Sequence, residues 1–335
     1  EKGSKSIVYY AIPSNATFES IAKELEEKNL IRNWWSIYFL SKLQGSDSAP
    51  RKIIAGEYEL SPGMTPKQIL DELLSGNLVV HQVKIPQGAT LIEIAGLIQN
   101  IDLAPREAIE KAFRSPQLMS KLSVPAYIPE GYIIPGDYSF SRPITPEKIV
   151  FQLVEEGMKR LETEQPNWTA RSAELGYRPY EILILASLIE KEAPRDADKG
   201  KLSSLYHNRL QLGMPLESEA ALTYTAPFAS LALRAVNKET PNPYNTFLAK
   251  GLPQTPICSP SAASLKAALF PDDTEDLYFL KQQNGSLVFA PTSKQFEALA
   301  AKLLPAGGVD SIEVDELEVA KTVSTEDLEQ ILGRD

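Results

Sequence analysis

The stretch Pro179-Tyr180-Glu181-Ile182-Leu183-Ile184-Leu185-Ala186-Ser187-Leu188-Ile189-Glu190-Lys191-Glu192-Ala193-Pro194 constrains this chain more than any other. Proline fixes its own φ near the helical value and offers no N–H, so Pro179 suits a first turn and Pro194 forbids continuation. Between them apolar residues cover nearly every side, and a helix apolar all round belongs inside a core. This core helix ends in two carboxylates, Glu190 and Glu192. Residues two apart on a helix point about 200° from each other, so one pocket does not readily receive both. Glu192 continues the stripe of Leu185, Leu188 and Ile189, while Glu190 sits above Leu183, Ala186 and Ser187. Desolvation and the negative end of the helix dipole both favour the protonated form of Glu192, the state a general acid needs near neutrality. Two glutamates that merely solvate the end of a core helix would give the same pattern. Helix and charge alone leave both readings open.

Composition narrows the chemistry. The chain carries a formal net charge of -10, whereas nucleic-acid binders cluster Lys and Arg on phosphates, so no nucleic-acid partner is expected. A single cysteine, Cys258, allows no intramolecular disulfide and no cysteine-built metal site. The two histidines, His81 and His207, lack ligand spacing, so neither a metal nor a cofactor is expected. Carboxylates are the residues left to catalyse a lytic or hydrolytic reaction. With 335 residues, 43% of them hydrophobic, two or three compact units are expected. No apolar run reaches the roughly 20 residues that span a bilayer. The chain opens Glu1-Lys2-Gly3 without methionine, which points to a processed or truncated product, so composition alone assigns neither a membrane anchor nor a compartment.

An internal echo organises the front of the chain. Ile12-Pro13-Ser14-Asn15-Ala16-Thr17 and Ile85-Pro86-Gln87-Gly88-Ala89-Thr90 match in Ile, Pro, Ala and Thr at equal offsets. In each copy a strand (7–12, then 79–85) meets a polar turn, and a Thr suited to capping precedes a helical apolar pattern. One small module used twice explains this, as would grammar shared by chance among strand–turn–helix units. Between the copies, Ile53 to Leu60 reads as a strand, and Thr65-Pro66 opens a helix that Gly76 is placed to end. Far downstream, Leu277–Leu280 and Leu287–Phe289 flank Asn284-Gly285 and read as a hairpin. The expectation is an α+β chain: an N-terminal α+β module over 1–78, a second unit and linker over 79–125, a mixed α+β domain over 126–304, and an acidic C-terminal extension over 305–335.

Five further segments appear in order: Pro129-Glu130-Gly131-Tyr132-Ile133-Ile134-Pro135, then Ala186 to Glu192, Asn208-Arg209-Leu210 to Glu219, Tyr244-Asn245-Thr246-Phe247, and Gly251-Leu252-Pro253-Gln254-Thr255-Pro256-Ile257. Together they resemble the endolytic transglycosylases of the YceG-like family, whose signatures are E-G-Y-L-F-P-D-T-Y, A-S-I-V-E-K-E, N-R-L-x-x-G-M-x-L-Q-S-D, Y-N-T-Y and G-L-P-P-G-P-I. The front of the chain resembles that family's LysM-like region through Ala55 to Leu60 and Ile85 to Thr90. Each motif alone is weak; their ordered set is specific. The resemblance implies an enzyme held at the outer face of the cytoplasmic membrane by one N-terminal helix absent from this chain. It would cut the MurNAc–GlcNAc β-1,4 bond within nascent peptidoglycan strands, leave 1,6-anhydroMurNAc ends, and work beside cell-wall synthases. The family's catalytic glutamate falls on Glu192, which the helical stripe also selects. Departures occur at Glu217-Ser218-Glu219 (family Gln-Ser-Asp), at Ala221, at Thr255 (family Gly) and at Ile134-Pro135-Gly136.

Ordinary glycosidases use two carboxyl groups. In a lytic transglycosylase the substrate's own C6 hydroxyl attacks the anomeric carbon, so one carboxyl can act first as acid and then as base. Glu192 is assigned both roles. Tyr224, Tyr244 and Asn245 are expected to orient the sugar, with Glu217, Ser218 and Tyr132 as further substrate-binding positions. Tyr224, Tyr244 and Asn245 could each instead be a satisfied structural residue, and Asn208 and Arg209 are expected to stabilise the core beneath. The rivals are a hydrolase pairing Glu192 with Glu217 or Glu219, and a catalytically silent glycan-binding scaffold for cell-wall synthases.

Overall fold

The computed structural model of the protein describes residues 6–44, 53–224 and 237–303; the expected acidic extension lies outside them. The architecture is α+β, with helices around small two-stranded sheets. Two compact units interleave along the chain. One comprises Glu1–Lys84, Ala95–Ala112 and Asp137–Val150, and the other Ile85–Ile94, Phe113–Gly136 and Phe151–Asp335.

The first unit begins with β1 (Val8–Ile12), α1 (Phe18–Glu27), α2 (Trp34–Gln44), β2 (Gly56–Leu60) and α3 (Pro66–Ser75). β1 pairs antiparallel with β2, Tyr10 opposite Tyr58, and alternation sends Tyr10 and Ile12 inward against Ile21, Leu25, Ile69 and Leu73. Both α1 and α3 start on a threonine that forms a capping box: Thr17 with Ser20, and Thr65 with Gln68. Gly76 ends α3 in the left-handed conformation, φ 73°, which costs glycine nothing. The second copy of the echo folds likewise, with β3 (His81–Ile85) running into α4 (Leu91–Asn100). Thr90 Oγ1 accepts from the Glu93 N–H at its head. α5 (Arg106–Phe113) and α6 (Pro116–Lys121) follow, and β4 (Gly136–Phe140) pairs with β3.

The second unit is built on helices: α7 (Pro146–Glu164), α8 (Trp168–Glu174), α9 (Pro179–Glu192), α10 (Asp196–Gln211), α11 (Glu219–Thr223) and α12 (Ala262–Leu269). A hairpin of β5 (Tyr278–Lys281) and β6 (Leu287–Ala290) follows, with Phe279 opposite Phe289, then α13 (Ser293–Leu303). α9 lies at the centre, packed against α8, α10, α11 and α12. Every residue from Ile182 to Glu190 is buried, each Leu or Ile contributing about 1.5–3 kcal/mol relative to an exposed one. Its one mid-helix polar side chain, Ser187, donates to the Ile184 carbonyl and accepts the Ile257 N–H, which pins the 250s loop to the helix. The boundaries match the Pro179 and Pro194 signals.

Candidate active site

The end of α9 delivers its two carboxylates to different surroundings. Glu190 is ringed by donors: Ser261 Oγ at 2.5 Å, Ser264 Oγ at 2.6 Å, the Ser261 N–H at 3.0 Å and the buried Lys199 ammonium at 3.4 Å. Burial pushes this carboxyl up, but the serine donors and Lys199 outweigh it and hold the group below the usual carboxylate range. Glu190 is therefore an ionised strut between α9, α10 and α12.

Glu192, only 6% exposed, keeps a different company. Its Oε1 accepts from Ser218 Oγ at 2.7 Å and from the Ala220 N–H at 2.9 Å. Among the described residues nothing donates to Oε2. Burial is the largest influence and raises its pKa; the Ala220 and Ser218 donors and Lys281 pull back, Glu219 adds to the rise, and the balance stays upward. A carboxyl held by one oxygen and biased towards its protonated form can donate a proton and later accept one.

The segment before α11 is shaped to make those donors. Arg209, on α10, is buried and donates to the carbonyls of Leu277 and Pro215 and to Glu217 Oε2 at 2.7 Å. Glu217 takes a left-handed φ of 55°, a strain of about 1 kcal/mol or more for a residue with a side chain. That turn aims Ser218 at α11, where its Oγ accepts the Ala221 N–H while donating to Glu192. Ser218 N–H is itself fixed by Thr246 Oγ1. Glu219 projects to the exposed side and pairs with Lys238.

Tyrosines extend from the other end of α11. Tyr224 caps its C-terminus, and its ring meets Tyr244 edge-on at 5.0 Å. Tyr244 is buried, its hydroxyl bonded to Thr255 Oγ1 at 2.8 Å and to the Tyr127 hydroxyl at 3.3 Å. Because Thr255 donates to the Pro256 carbonyl, donation runs from Tyr127 through Tyr244 to Thr255. Tyr132 is buried too, stacked on Tyr180 at 6.0 Å. Asn245 is spent on its own loop: its amide NH₂ donates to the carbonyls of Lys238 and Thr240, and its oxygen accepts the Phe247 N–H. Thus Glu192, Ser218 and Tyr224 gather around α11, Glu217 and Asn245 build its flanks, and Tyr132 and Tyr244 back a tyrosine wall.

Three residues of this region carry no role expected from the sequence. Tyr127 is 48% exposed and, with Arg114, Tyr180 and Gln254, lines a cavity of about 540 Å³. Tyr180 also borders a second cavity of about 600 Å³. Glu192 lines neither. The third is Glu130, fully buried, whose Oε2 accepts the Tyr224 hydroxyl at 2.5 Å. It opens the Glu130-Gly131-Tyr132 motif and is the lone charge between Lys121 and Asp137, and these are the signals that could have found it. Among the described residues no group of three or more His, Cys, Asp or Glu could hold a metal ion. His207 is buried against the Ala268 carbonyl, and His81 pairs with Glu57.

Comparison with known proteins follows the same outline. Residues 10–302 match the YceG-like family. The chain is 29% identical over 329 residues to the endolytic murein transglycosylase of Bacillus subtilis (strain 168), a match covering 91% of this chain and 87% of that protein. It is 26% identical over 326 residues to the endolytic murein transglycosylase of Streptococcus pneumoniae serotype 2 (strain D39 / NCTC 7466), covering 88% of this chain and 58% of that longer relative. Among solved structures, a crystal structure of a YceG-like protein from Listeria monocytogenes superposes with a TM-score of 0.58 at 26% identity, covering 88% of this chain and 100% of that one.

Proposed function

This chain belongs to the YceG-like family, and from that premise we propose that it is an endolytic peptidoglycan lytic transglycosylase with Glu192 as both acid and base. The observation that carries the reading is the state of Glu192: nearly buried, raised in pKa, and anchored, among the described residues, through Oε1. In the first step protonated Glu192 gives its proton to the glycosidic oxygen as the MurNAc C1–O bond breaks. The C6 hydroxyl of the same MurNAc then attacks C1, and the Glu192 carboxylate takes the hydroxyl proton. The products are a 1,6-anhydroMurNAc end and a free GlcNAc 4-hydroxyl, with no water consumed. The developing oxocarbenium charge is met by the carboxylate itself, and the fixed donors spare the reaction any reorganisation.

Tyr224, half-buried at the C-terminal end of α11 with its hydroxyl given to Glu130, is assigned to meet sugar through its ring, and Tyr127 offers an exposed ring farther along the wall. Buried Tyr244 acts by holding those two, and buried Tyr132 by stacking on Tyr180. The hydrolase alternative loses its expected second carboxylates to other duties, since Glu217 serves Arg209 and Glu219 pairs with Lys238. In this reading the enzyme acts outside the cytoplasmic membrane, on nascent strands and beside cell-wall synthases. Among the described residues no helix is long and apolar enough to cross a membrane. Mass spectrometry of the products from purified peptidoglycan tests the activity. Anhydro ends from internal cleavage are expected; reducing ends would replace this reading with a hydrolase, and unshortened strands with a scaffold.

A further inference from the structure

Glu130 has no part in the steps above, and its situation is costly. It is completely buried. Its Oε2 accepts the Tyr224 hydroxyl at 2.5 Å and, weakly, the Leu91 N–H at 3.4 Å. Its Oε1 has no partner among the described residues and no access to solvent. A buried polar atom left unpaired costs roughly 1–3 kcal/mol, so an apolar side chain here would serve stability better. The backbone nonetheless goes out of its way to put the carboxyl there. Gly131 adopts φ 81°, and a Cβ at that position would sit 2.6 Å from Pro256, so the chain presses against the 250s loop where only glycine fits.

The partner explains the expense. Tyr224 caps the C-terminus of α11, and the N-terminal end of that short helix supplies both donors to Glu192. α11 spans only five residues, about one and a half turns, so its two ends move together. We propose that Glu130 is a positioning residue of the reaction centre: by holding the Tyr224 hydroxyl it sets the placement of α11, and through α11 the geometry of the Ser218 and Ala220 donors on Glu192. The proposal rests on the reading of Glu192 as the acid/base. Burial pushes the Glu130 carboxyl up to about 8, so near neutrality it works as an uncharged hydrogen-bond partner rather than as a charge. The other titratable groups facing it are Glu93 from α4, Tyr180 and Lys191 from α9, and Cys258 from the 250s loop.

Four variants of the chain test this: Glu130→Gln, Glu130→Met, Tyr224→Phe and the double change Glu130→Met/Tyr224→Phe. Misplacing catalytic donors by a fraction of an ångström lowers turnover steeply, so Glu130→Met should lose roughly 10- to 100-fold in kcat with little change in KM. Its melting temperature should hold or rise. Glu130→Gln, which still accepts from Tyr224, should stay within about 3-fold of the unaltered chain, and the double variant should be no worse than either single change, as a shared pathway requires. A second readout needs no turnover: ¹³C-carboxyl titration of Glu192, assigned by difference with Glu192→Gln. Its midpoint should move in Glu130→Met and Tyr224→Phe and stay put in Glu130→Gln. An unmoved midpoint, or Glu130→Met turning over at the unaltered rate, overturns the proposal, as does activity lost only in step with stability. If the unaltered chain makes no anhydro ends, the functional reading fails separately, and the titration still decides the positioning role.

Discussion

Ser218 Oγ donates to Glu192 Oε1 at 2.7 Å while accepting the Ala221 N–H, so one hydroxyl both caps α11 and steadies the acid. Ser218→Ala should therefore act twice. Loss of the cap should cost about 1 kcal/mol of stability in urea unfolding. Loss of a donor that favours the carboxylate should raise the Glu192 pKa further and carry the alkaline limb of the pH–rate profile upward. A variant with lowered stability but an unmoved limb would mean that the serine is only a cap.

Glu190→Gln is the natural control for Glu192 on helical position alone, but the structure makes it an expensive change. It leaves Lys199 buried with Asp196 and Ser261 as its remaining partners. A cost of about 3 kcal/mol is expected, the low end for a broken buried pair. The Glu190 pKa is lowered in the folded state. Its stabilisation is therefore present above the unfolded value near 4.3 and lost as pH falls through the folded one. The gap between the two proteins in denaturant melts should be full at pH 7 and shrink below about pH 4. Activity per folded molecule should be retained, measured where both proteins are folded.

What the sequence makes legible and what it hides divide along a physical line. Local grammar is legible: the proline brackets of α9, the threonine caps of α1 and α3, Gly76, and the Asn284-Gly285 hairpin all act within a few residues of where they stand. The helical stripe also separates Glu190 from Glu192 correctly, because that depends only on about 100° per residue. Long-range pairing is hidden. No periodicity reveals that Glu190 will meet Lys199 and Ser261, that Tyr224 will find Glu130 ninety-four positions away, or that Asn245 will be consumed by its own loop. At Glu192 the dipole of α9 is visible from the helix end, whereas the α11 donors that oppose it are not.

Glu217→Gln and Glu219→Gln separate the one-carboxylate mechanism from its hydrolytic rival. The first weakens the anchor that Arg209 holds, so a loss of about 1–2 kcal/mol in stability is expected. The second sits at the exposed side and should be nearly silent in melts. Both should still produce anhydro ends on peptidoglycan. Loss of activity as deep as that of a Glu192 variant would make one of them a second catalytic group.

Thr255 departs from the glycine of the family pattern, and its hydroxyl is fully engaged, accepting from Tyr244 and passing donation to the Pro256 carbonyl. Thr255→Val keeps the shape and removes both bonds, leaving the Tyr244 hydroxyl with only Tyr127 as a described partner. Stability should fall by about 1–2 kcal/mol, and KM for glycan strands should rise more than kcat falls, since the tyrosine wall is loosened rather than the acid. A change confined to kcat would place Thr255 nearer the chemistry than a support of that wall.

Glu192→Gln carries the most weight. The amide oxygen can still accept from Ser218 and Ala220, so the local geometry should survive, but the side chain can neither give nor take the proton. A general acid/base group contributes about 10²- to 10⁴-fold, and one group serving both steps should lie toward the upper end. Anhydro-product release should therefore fall by that factor while glycan binding persists. Stability supplies an independent check with the opposite sign to Glu190. Because burial raises the folded-state pKa of Glu192, its contribution is present below the unfolded value near 4.3 and lost as pH rises through the folded one. The variant should thus be as stable as the unaltered chain, or more so, at about pH 8, and gain no such advantage at about pH 4. Dead enzyme with that pH signature identifies a desolvated catalytic carboxyl. Dead enzyme that is destabilised at every pH would instead mean a structural strut, and an active variant would end the single-carboxylate mechanism.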